Sequence, residues 1–302
     1  MRNSLIELVN SAICFEMELP NKTRGIEKTK ITNDKDKCFR TQNHGELAKS
    51  IYNGIVEYAV GEFDIDYNNL EIEQAKVIAR RVRYNAYADD LAKSKYGFYG
   101  EVLLDLILRV FFETNVLMAR GYLYSPIEKG EVKGFDAFHL LEKDGIVELW
   151  LGEAKFYVEY YKPVKDVLSK IEKSLSDDYV NDNVLALLDL QSKFSTPCSR
   201  LSSILERWMH NPQINIAEEI AKENMSIVYP IMIAFQPQSG KSYDENVNEC
   251  LKYINEKIDE IGINISNSFS YKIFFVFLPV DNVSNVKESV YRWIDSKEPL
   301  IL

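Results

Sequence analysis

Two apolar segments on either side of a short turn constrain the fold of this chain most strongly. The longer segment, Val147 to Phe156, is rich in Val, Leu, Trp and Phe and predicts a largely buried strand. The shorter segment, Phe135 to Leu141, predicts a second strand. Between them lies Lys143-Asp144-Gly145, a typical turn sequence. The two strands are therefore predicted to pair as a hairpin.

The same two strands carry two acids and a lysine. Asp136 lies near the start of the first strand, and Glu153 and Lys155 lie near the end of the second. A hairpin brings these positions close together, and residues two apart on a strand point to the same face. Mg²⁺ prefers hard oxygen ligands, and one or two carboxylates can hold it against a phosphate. We therefore predict that Asp136 and Glu153 hold Mg²⁺, with Mn²⁺ as the alternative, and that Lys155 orients water or offsets charge on the phosphate.

The apolar pattern around this hairpin predicts an α/β order of elements, because helical and strand periodicities alternate along the chain. The predicted elements outside the hairpin are, in chain order, a helix from Glu101 to Met118, a strand at Gly121 to Tyr124, a helix from Val164 to Leu175, a polar loop at Ser174 to Asn183, strands at Ile227 to Phe235 and Tyr271 to Leu278, and helices from Tyr243 to Ile261 and Val283 to Ile294.

Three short motifs follow one another in the middle of the chain. They are Gly-Phe-Tyr-Gly-Glu at 97–101, Lys-Gly-Phe-Asp at 133–136 and Gly-Glu-Ala-Lys at 152–155. With this ordered set the chain resembles the HamA family, the nuclease subunit of the bacterial Hachiman anti-phage system. The acid followed by acid-x-Lys also resembles the active-site pattern of the PD-(D/E)XK nuclease superfamily.

The resemblance implies a fold, an activity and a partner. The fold is a restriction-endonuclease-like α/β core over residues 96–302, with a central mixed sheet flanked by helices. Residues 1–95 are then a mostly helical extension packed on that core. The superfamily often adds an acid from its first helix, and Glu101 occupies that position. The implied activity is that of a metal-dependent DNA endonuclease or nickase, which a partner helicase, HamB, holds in check.

Each candidate residue also has a purely structural interpretation. Glu153 and Lys155 could form a solvated strand end, and Asp136 could simply terminate a turn. Glu101 could be a first-turn acid favoured by the helix dipole. His139 lies between apolar neighbours on a strand, which favours a packed histidine over a metal ligand.

Two other functions are compatible with the same pattern. One is a non-catalytic adaptor that keeps a nuclease fold and binds DNA or a helicase. The other is a stand-alone repair or restriction nuclease. The intact acid-x-Lys at Glu153 to Lys155 favours a nuclease over an adaptor.

Composition indicates an intracellular globular protein. At 302 residues with 46% hydrophobic content, the chain can bury a sizeable core. Its four cysteines are scattered without a C-x-x-C pair, so neither a zinc site nor a disulfide framework is indicated, and we expect a cytoplasmic location. No apolar run approaches the roughly 20 residues that a membrane span needs, so no membrane association is predicted.

The net charge of −10 argues against a protein that coats nucleic acid by itself, because affinity for phosphates rests on basic contacts. It suits a nuclease that a partner delivers to DNA. The segment Lys76 to Lys95 nevertheless holds six basic and two acidic residues. Within it Arg80, Arg81 and Arg83 are candidate DNA contacts, and Lys133 is another, although a solvated surface explains them equally well.

Overall fold

The computed structural model describes residues 1–125, 127–128, 130–131, 134–194, 199–211 and 213–301. The helices in these ranges are α1 (Asn3–Ala12), α2 (His44–Ala59), α3 (Leu70–Arg80), α4 (Asp90–Lys93), α5 (Phe98–Phe111), α6 (Tyr161–Leu168), α7 (Ile171–Ser174), α8 (Asp177–Leu188), α9 (Ser199–Met209), α10 (Ile216–Lys222), α11 (Tyr243–Ile261) and α12 (Val283–Ser296). The strands are β1 (Ile13–Leu19), β2 (Asp36–Thr41), β3 (Asn115–Val116), β4 (Tyr124–Ser125), β5 (Gly130–Glu131), β6 (Ala137–Lys143), β7 (Ile146–Tyr157), β8 (Ser226–Phe235) and β9 (Ser270–Pro279).

Seven of these strands form one mixed sheet, in the order β1-β2-β9-β8-β7-β6-β3. The pairs β2/β9, β9/β8 and β8/β7 are parallel, whereas β1/β2, β7/β6 and β6/β3 are antiparallel. Strands β4 and β5 form a separate two-stranded ribbon. A mixed sheet with helices on both faces confirms the predicted α/β class.

Each face of the sheet has its own hydrophobic core. Helices α1, α2, α5 and α12 cover one core, which includes Leu104, Trp150 and Phe274. Helices α6 to α11 cover the other, which includes Leu151 and Phe275. Neighbouring residues such as Trp150 and Leu151 enter opposite cores because side chains alternate along a strand. Both faces of the central strands are therefore dry, which explains their continuous apolar sequences.

The predicted hairpin is present as β6 and β7. Its register places Ala137 opposite Gly152. Asp144 and Gly145 form the turn, with φ angles of 53° and 77°. Positive φ at both central residues is what a two-residue hairpin turn of this kind requires. Beyond the hairpin, β7 pairs in parallel with β8, so β7 joins the antiparallel and parallel parts of the sheet.

The predicted strand at Gly121 to Tyr124 is wrong. A short 3-10 helix occupies Arg120–Leu123, and the strand that pairs with β6 is β3, which has only two residues. Gly121 packs so closely on α2 that an added Cβ would lie 2.3 Å from the carbonyl oxygen of Ala59. Packing on a helix therefore replaces strand pairing in this segment.

Helix α5 is shorter at its carboxyl end than the predicted helix, which extends to Met118. It stops at Phe111 because Glu113 adopts a left-handed conformation with φ of 54°. The N–H of Thr114 then turns back to donate to the carbonyl of Leu108 at 3.2 Å.

The predicted loop at Ser174 to Asn183 is also wrong, because α8 begins inside it. Ser176 caps this helix by accepting a backbone N–H with its side chain. Val180, Val184 and Leu187 are buried at helical spacing. The polar residues between them hide this apolar stripe in the sequence.

The first 95 residues contribute strands as well as helices. Strands β1 and β2 extend the main sheet beyond β9, and α2 packs against α5 and α12. Most of the regular structure in this segment is helical, as the sequence predicts, and β1 and β2 add a strand pair to the sheet. The domain boundary at residue 95 stays a prediction.

Candidate active site

Asp136 is held by hydrogen bonds at the open end of the hairpin. Its backbone N–H donates to the carbonyl of Gly152 at 2.8 Å, and its Oδ2 accepts the N–H of Ala154 at 2.8 Å. Both hydrogen bonds join the residue before β6 to β7. The carboxylate is therefore held beside Glu153, as the hairpin predicts.

Glu153 and Lys155 face the side of the sheet that α6 covers. The alternate position Gly152 faces α5 so closely that an added Cβ would lie 2.8 Å from Cδ2 of Leu104. Ala154 also packs into the core on that face. Because side chains alternate along a strand, Glu153 and Lys155 project the other way. There the Lys155 ammonium lies 2.5 Å from Oε1 of Glu153.

Helix α6 adds a third carboxylate to this cluster. Asp166 Oδ2 lies 3.8 Å from Nζ of Lys155, and Asp166 Oδ1 lies 2.7 Å from Nζ of Lys170. The sequence prediction missed both Asp166 and Lys170. Their spacing of four residues within the helix predicted directly after the acid-x-Lys strand is the signal that could have indicated them.

The charged forms of Asp136 and Glu153 are both destabilised by their surroundings. Burial, followed by repulsion from Asp136, raises the pKa of Glu153 to about 7. Burial also raises the pKa of Asp136, although Lys155 and the Ala154 N–H oppose the rise. For Lys155 burial acts in the lowering direction, but Glu153 and Asp136 more than offset it, so the lysine pKa lies above its usual value. The cluster therefore contains a lysine that stays protonated, and it contains two carboxyl groups whose negative charges the lysine does not fully balance.

Glu101 lies on α5, the helix that packs on the Gly152 side of the sheet. Its Oε2 accepts a hydrogen bond from the Tyr58 hydroxyl and lies 4.0 Å from Nε of Arg120. The positive charge of Arg120 also opposes the rise in the pKa of Asp136. Arg120 therefore lies beside Glu101 and acts electrostatically on Asp136. The sequence prediction missed Arg120, because it lies in the segment assigned wrongly around the first strand.

The residues predicted to contact DNA differ in their exposure to solvent. Arg80 and Arg83 are exposed at and just beyond the end of α3. Arg81 is half-buried, with its guanidinium 5.0 Å from the centre of the Tyr122 ring. Lys133 lies outside the described residues. None of these positions is tested as a DNA contact.

His139 is a packed histidine, as the sequence predicts. It is buried, with Nε2 2.9 Å from Oδ1 of Asp105 and Nδ1 2.8 Å from the hydroxyl oxygen of Thr114. Burial lowers its pKa, although Asp105 opposes the effect. Across the described ranges, no group of three or more His, Cys, Asp and Glu side chains is arranged to hold a metal ion.

Comparison with known proteins identifies the family. A family model described as HamA matches residues 6–294 of the 302-residue chain. The chain belongs to the HamA family. This match confirms the resemblance carried by the three motifs and associates the chain with Hachiman defence. No curated protein and no solved structure matches the chain. Among the described helices, none is both long and apolar enough to cross a membrane.

Proposed function

We propose that this chain is a metal-dependent DNA endonuclease or nickase, the effector of a Hachiman-type defence system under the control of a partner helicase. Family membership supports the defence setting. The observation that carries the chemistry is the convergence of Asp136, Glu153 and Lys155 on one hairpin. The chain order α5, β3, β6, β7, α6, β8 also agrees with the order implied by a PD-(D/E)XK core.

The residues present fit a divalent cation with few protein ligands. One oxygen of Asp136 accepts the Ala154 N–H and one oxygen of Glu153 contacts Lys155. The other oxygen of each carboxylate accepts no hydrogen bond from the described residues. Two hard oxygen donors, each with a raised pKa, suit Mg²⁺ or Mn²⁺. Asp136 and Glu153 would hold such an ion, which would supply an activated water and neutralise phosphate charge.

Lys155 acts in this proposal as a charged hydrogen-bond donor. Its raised pKa keeps the ammonium protonated at neutral pH, so it is a poor proton acceptor. It can donate to a phosphate oxygen or orient water while offsetting negative charge. Glu153 and Asp166 restrain its position before DNA arrives, at 2.5 Å and 3.8 Å from Nζ.

The experiment is supercoiled-plasmid cleavage with and without Mg²⁺, by the chain alone and with any helicase encoded beside it. Lys155→Ala and Glu153→Gln should each lower nicking by on the order of 100-fold or more, because each removes charge from the reacting centre. Asp136→Asn keeps an acceptor for the Ala154 N–H but loses the negative charge, so it should weaken Mg²⁺ dependence first.

Lys143→Ala is the matched control, because Lys143 is exposed at the opposite end of the same hairpin. It should nick like the wild-type chain. Loss of soluble, cooperatively melting protein in the Lys155 and Glu153 variants would assign these residues to folding instead. Equal nicking with and without the helicase would favour a stand-alone nuclease.

A non-catalytic adaptor is the second candidate. It is favoured by the engagement of Glu101 with Tyr58 and Arg120. In that case no mixture nicks DNA, and DNA or helicase binding survives Lys155→Ala.

A further inference from the structure

An exposed aromatic surface lies directly beyond the candidate active site. Tyr157 ends β7 two residues after Lys155, and Tyr161 begins α6. Tyr157, Val158 and Tyr161 are 48%, 44% and 42% exposed. Three such residues within five positions are more than the scattered apolar exposure of an ordinary surface. Two strand residues span about 7 Å, so this surface begins close to the lysine. We name these three residues the carboxyl-edge platform.

The Tyr161 ring is held in place although it is exposed. Its centre lies 4.4 Å from that of the buried Tyr160 and 5.0 Å from that of Tyr253. The side-chain amide of Gln238 donates to its hydroxyl at 3.4 Å. A ring that is already ordered loses little conformational freedom when a ligand stacks on it.

The Tyr157 ring is held from a different element. Nζ of Lys287, on α12, lies 5.2 Å from the centres of both Tyr157 and Phe156, and 5.6 Å from that of Tyr99. Such contacts attract the ammonium to the ring faces. Lys287 is only 8% exposed, and no carboxylate of the described residues lies within 4.0 Å of its Nζ. It therefore adds a positive charge that no acid of the described chain offsets.

The chain segment that carries the platform is rich in lysine, although the protein as a whole is acidic. Residues 155–173 contain five lysines and three acids, whereas the whole chain has a net charge of −10. Lys162 and Lys165 are exposed on α6. Asp166 is already paired with Lys170. This local excess of lysine is complementary to a phosphate backbone.

We propose that the carboxyl-edge platform stacks unpaired DNA bases, so that the substrate carries a single-stranded segment next to the cleaved phosphate. Exposed, rigid aromatic rings beside lysines are the usual features of sites that bind single strands, because every base has a face that can stack. In a duplex the bases stack on each other and their faces are unavailable to Tyr157 and Tyr161. The identity of the cleaved phosphate rests on the proposed nuclease function, whereas binding of the strand does not.

The test is fluorescence anisotropy with a labelled oligothymidylate and with a blunt duplex, in EDTA so that no cleavage occurs. The wild-type chain should bind the single strand more tightly than the duplex. Tyr157→Ala and Tyr161→Ala should each raise the Kd for the single strand by about 5- to 100-fold, the range expected from losing one stacked base. Tyr161→Phe keeps the ring and should stay close to wild type. Phe63→Ala, which removes a ring that is 86% exposed elsewhere, is the matched control and should have no effect.

Absence of wild-type binding to the oligothymidylate, or equal binding by the two alanine variants, would overturn the proposal. Unchanged strand binding together with weaker capture of the helicase would reassign the platform to a protein interface. The two proposals can be distinguished by combining this test with plasmid nicking. Strand binding that depends on the tyrosines, without any Mg²⁺-dependent nicking, supports the platform alone. Lys155-dependent nicking with tyrosine-independent binding supports the nuclease alone.

Discussion

Lys287 is a buried charge that makes the free energy of unfolding depend on pH. Burial lowers its pKa from the usual 10.5 to about 8. The unfolded chain therefore binds more protons than the folded chain between these two values. It follows that the free energy of unfolding rises as the pH rises from about 8 to above 10.5, and that this contribution is lost as the pH falls through 8.

Lys287→Met should accordingly stabilise the protein at neutral pH, because methionine fills the same space without a charge to desolvate. The gain should be on the order of 2 kcal/mol at about pH 7 and should largely disappear above about pH 10. Urea unfolding of both proteins at the two pH values measures it. Lys143→Met, at the exposed end of β6, should change little at either pH. A gain that is equal at both pH values would show that packing, not charge, causes it.

At the residue scale, the sequence predicts correctly those contacts that lie within the single hairpin of β6 and β7. The turn at Asp144 and Gly145 sets the register, and the register places Asp136 beside Glu153. Asp166 approaches Lys155 from a separate helix, and Arg120 approaches Glu101 from a 3-10 turn. Their approach depends on packing between elements, which no local pattern encodes.

Gly121 marks a point where two elements approach too closely for any side chain. An added Cβ would lie 2.3 Å from the carbonyl oxygen of Ala59, 2.8 Å from its Cα and 2.9 Å from its carbonyl carbon. These are backbone atoms at the end of α2, which no side-chain rotation can move. Removing the clash therefore requires α2 and the 3-10 turn to separate. Gly121→Ala should therefore destabilise the fold by roughly 3 kcal/mol, at the upper end of overpacking effects.

Thermal or urea unfolding of Gly121→Ala measures this effect. Gly45→Ala is the matched control, because its added Cβ meets nothing closer than 3.4 Å and lies in the first turn of α2. Alanine favours helix there, so the control should be neutral or slightly stabilising. A Gly121→Ala protein as stable as the wild-type chain would mean that the two elements separate freely.

The elements that the sequence predicts well are long and strongly patterned. Strands β8 and β9 lie within one residue of their predicted bounds, and α11 matches its predicted bounds at both ends. The errors have a common physical origin. Strand β3 is too short to show a period of two, and the apolar stripe of α8 is narrow between polar residues.

At the scale of the whole molecule, the first 95 residues are joined to the rest by both cores. Strand β2 pairs in parallel with β9, and Oδ1 of Asp36 accepts the N–H of Phe275 at 2.8 Å. Helix α2 is buried along most of its length between α5 and α12. Contacts this extensive are not those of a detachable extension.

A chain that starts at residue 96 should therefore fail to fold alone, because it exposes the apolar face of α5 and leaves the β9 edge unpaired. At Gly54, for example, an added Cβ would lie 3.0 Å from Cδ1 of Leu106, which shows how closely α2 covers α5. Soluble yield and a far-ultraviolet circular dichroism melt of 96–302 measure the outcome. Co-expression with 1–95 as a separate chain should restore soluble protein, because the missing strands and helix can then pack back. Cooperative melting of 96–302 by itself would instead establish that the nuclease-like core is independent and that the amino-terminal segment only decorates it.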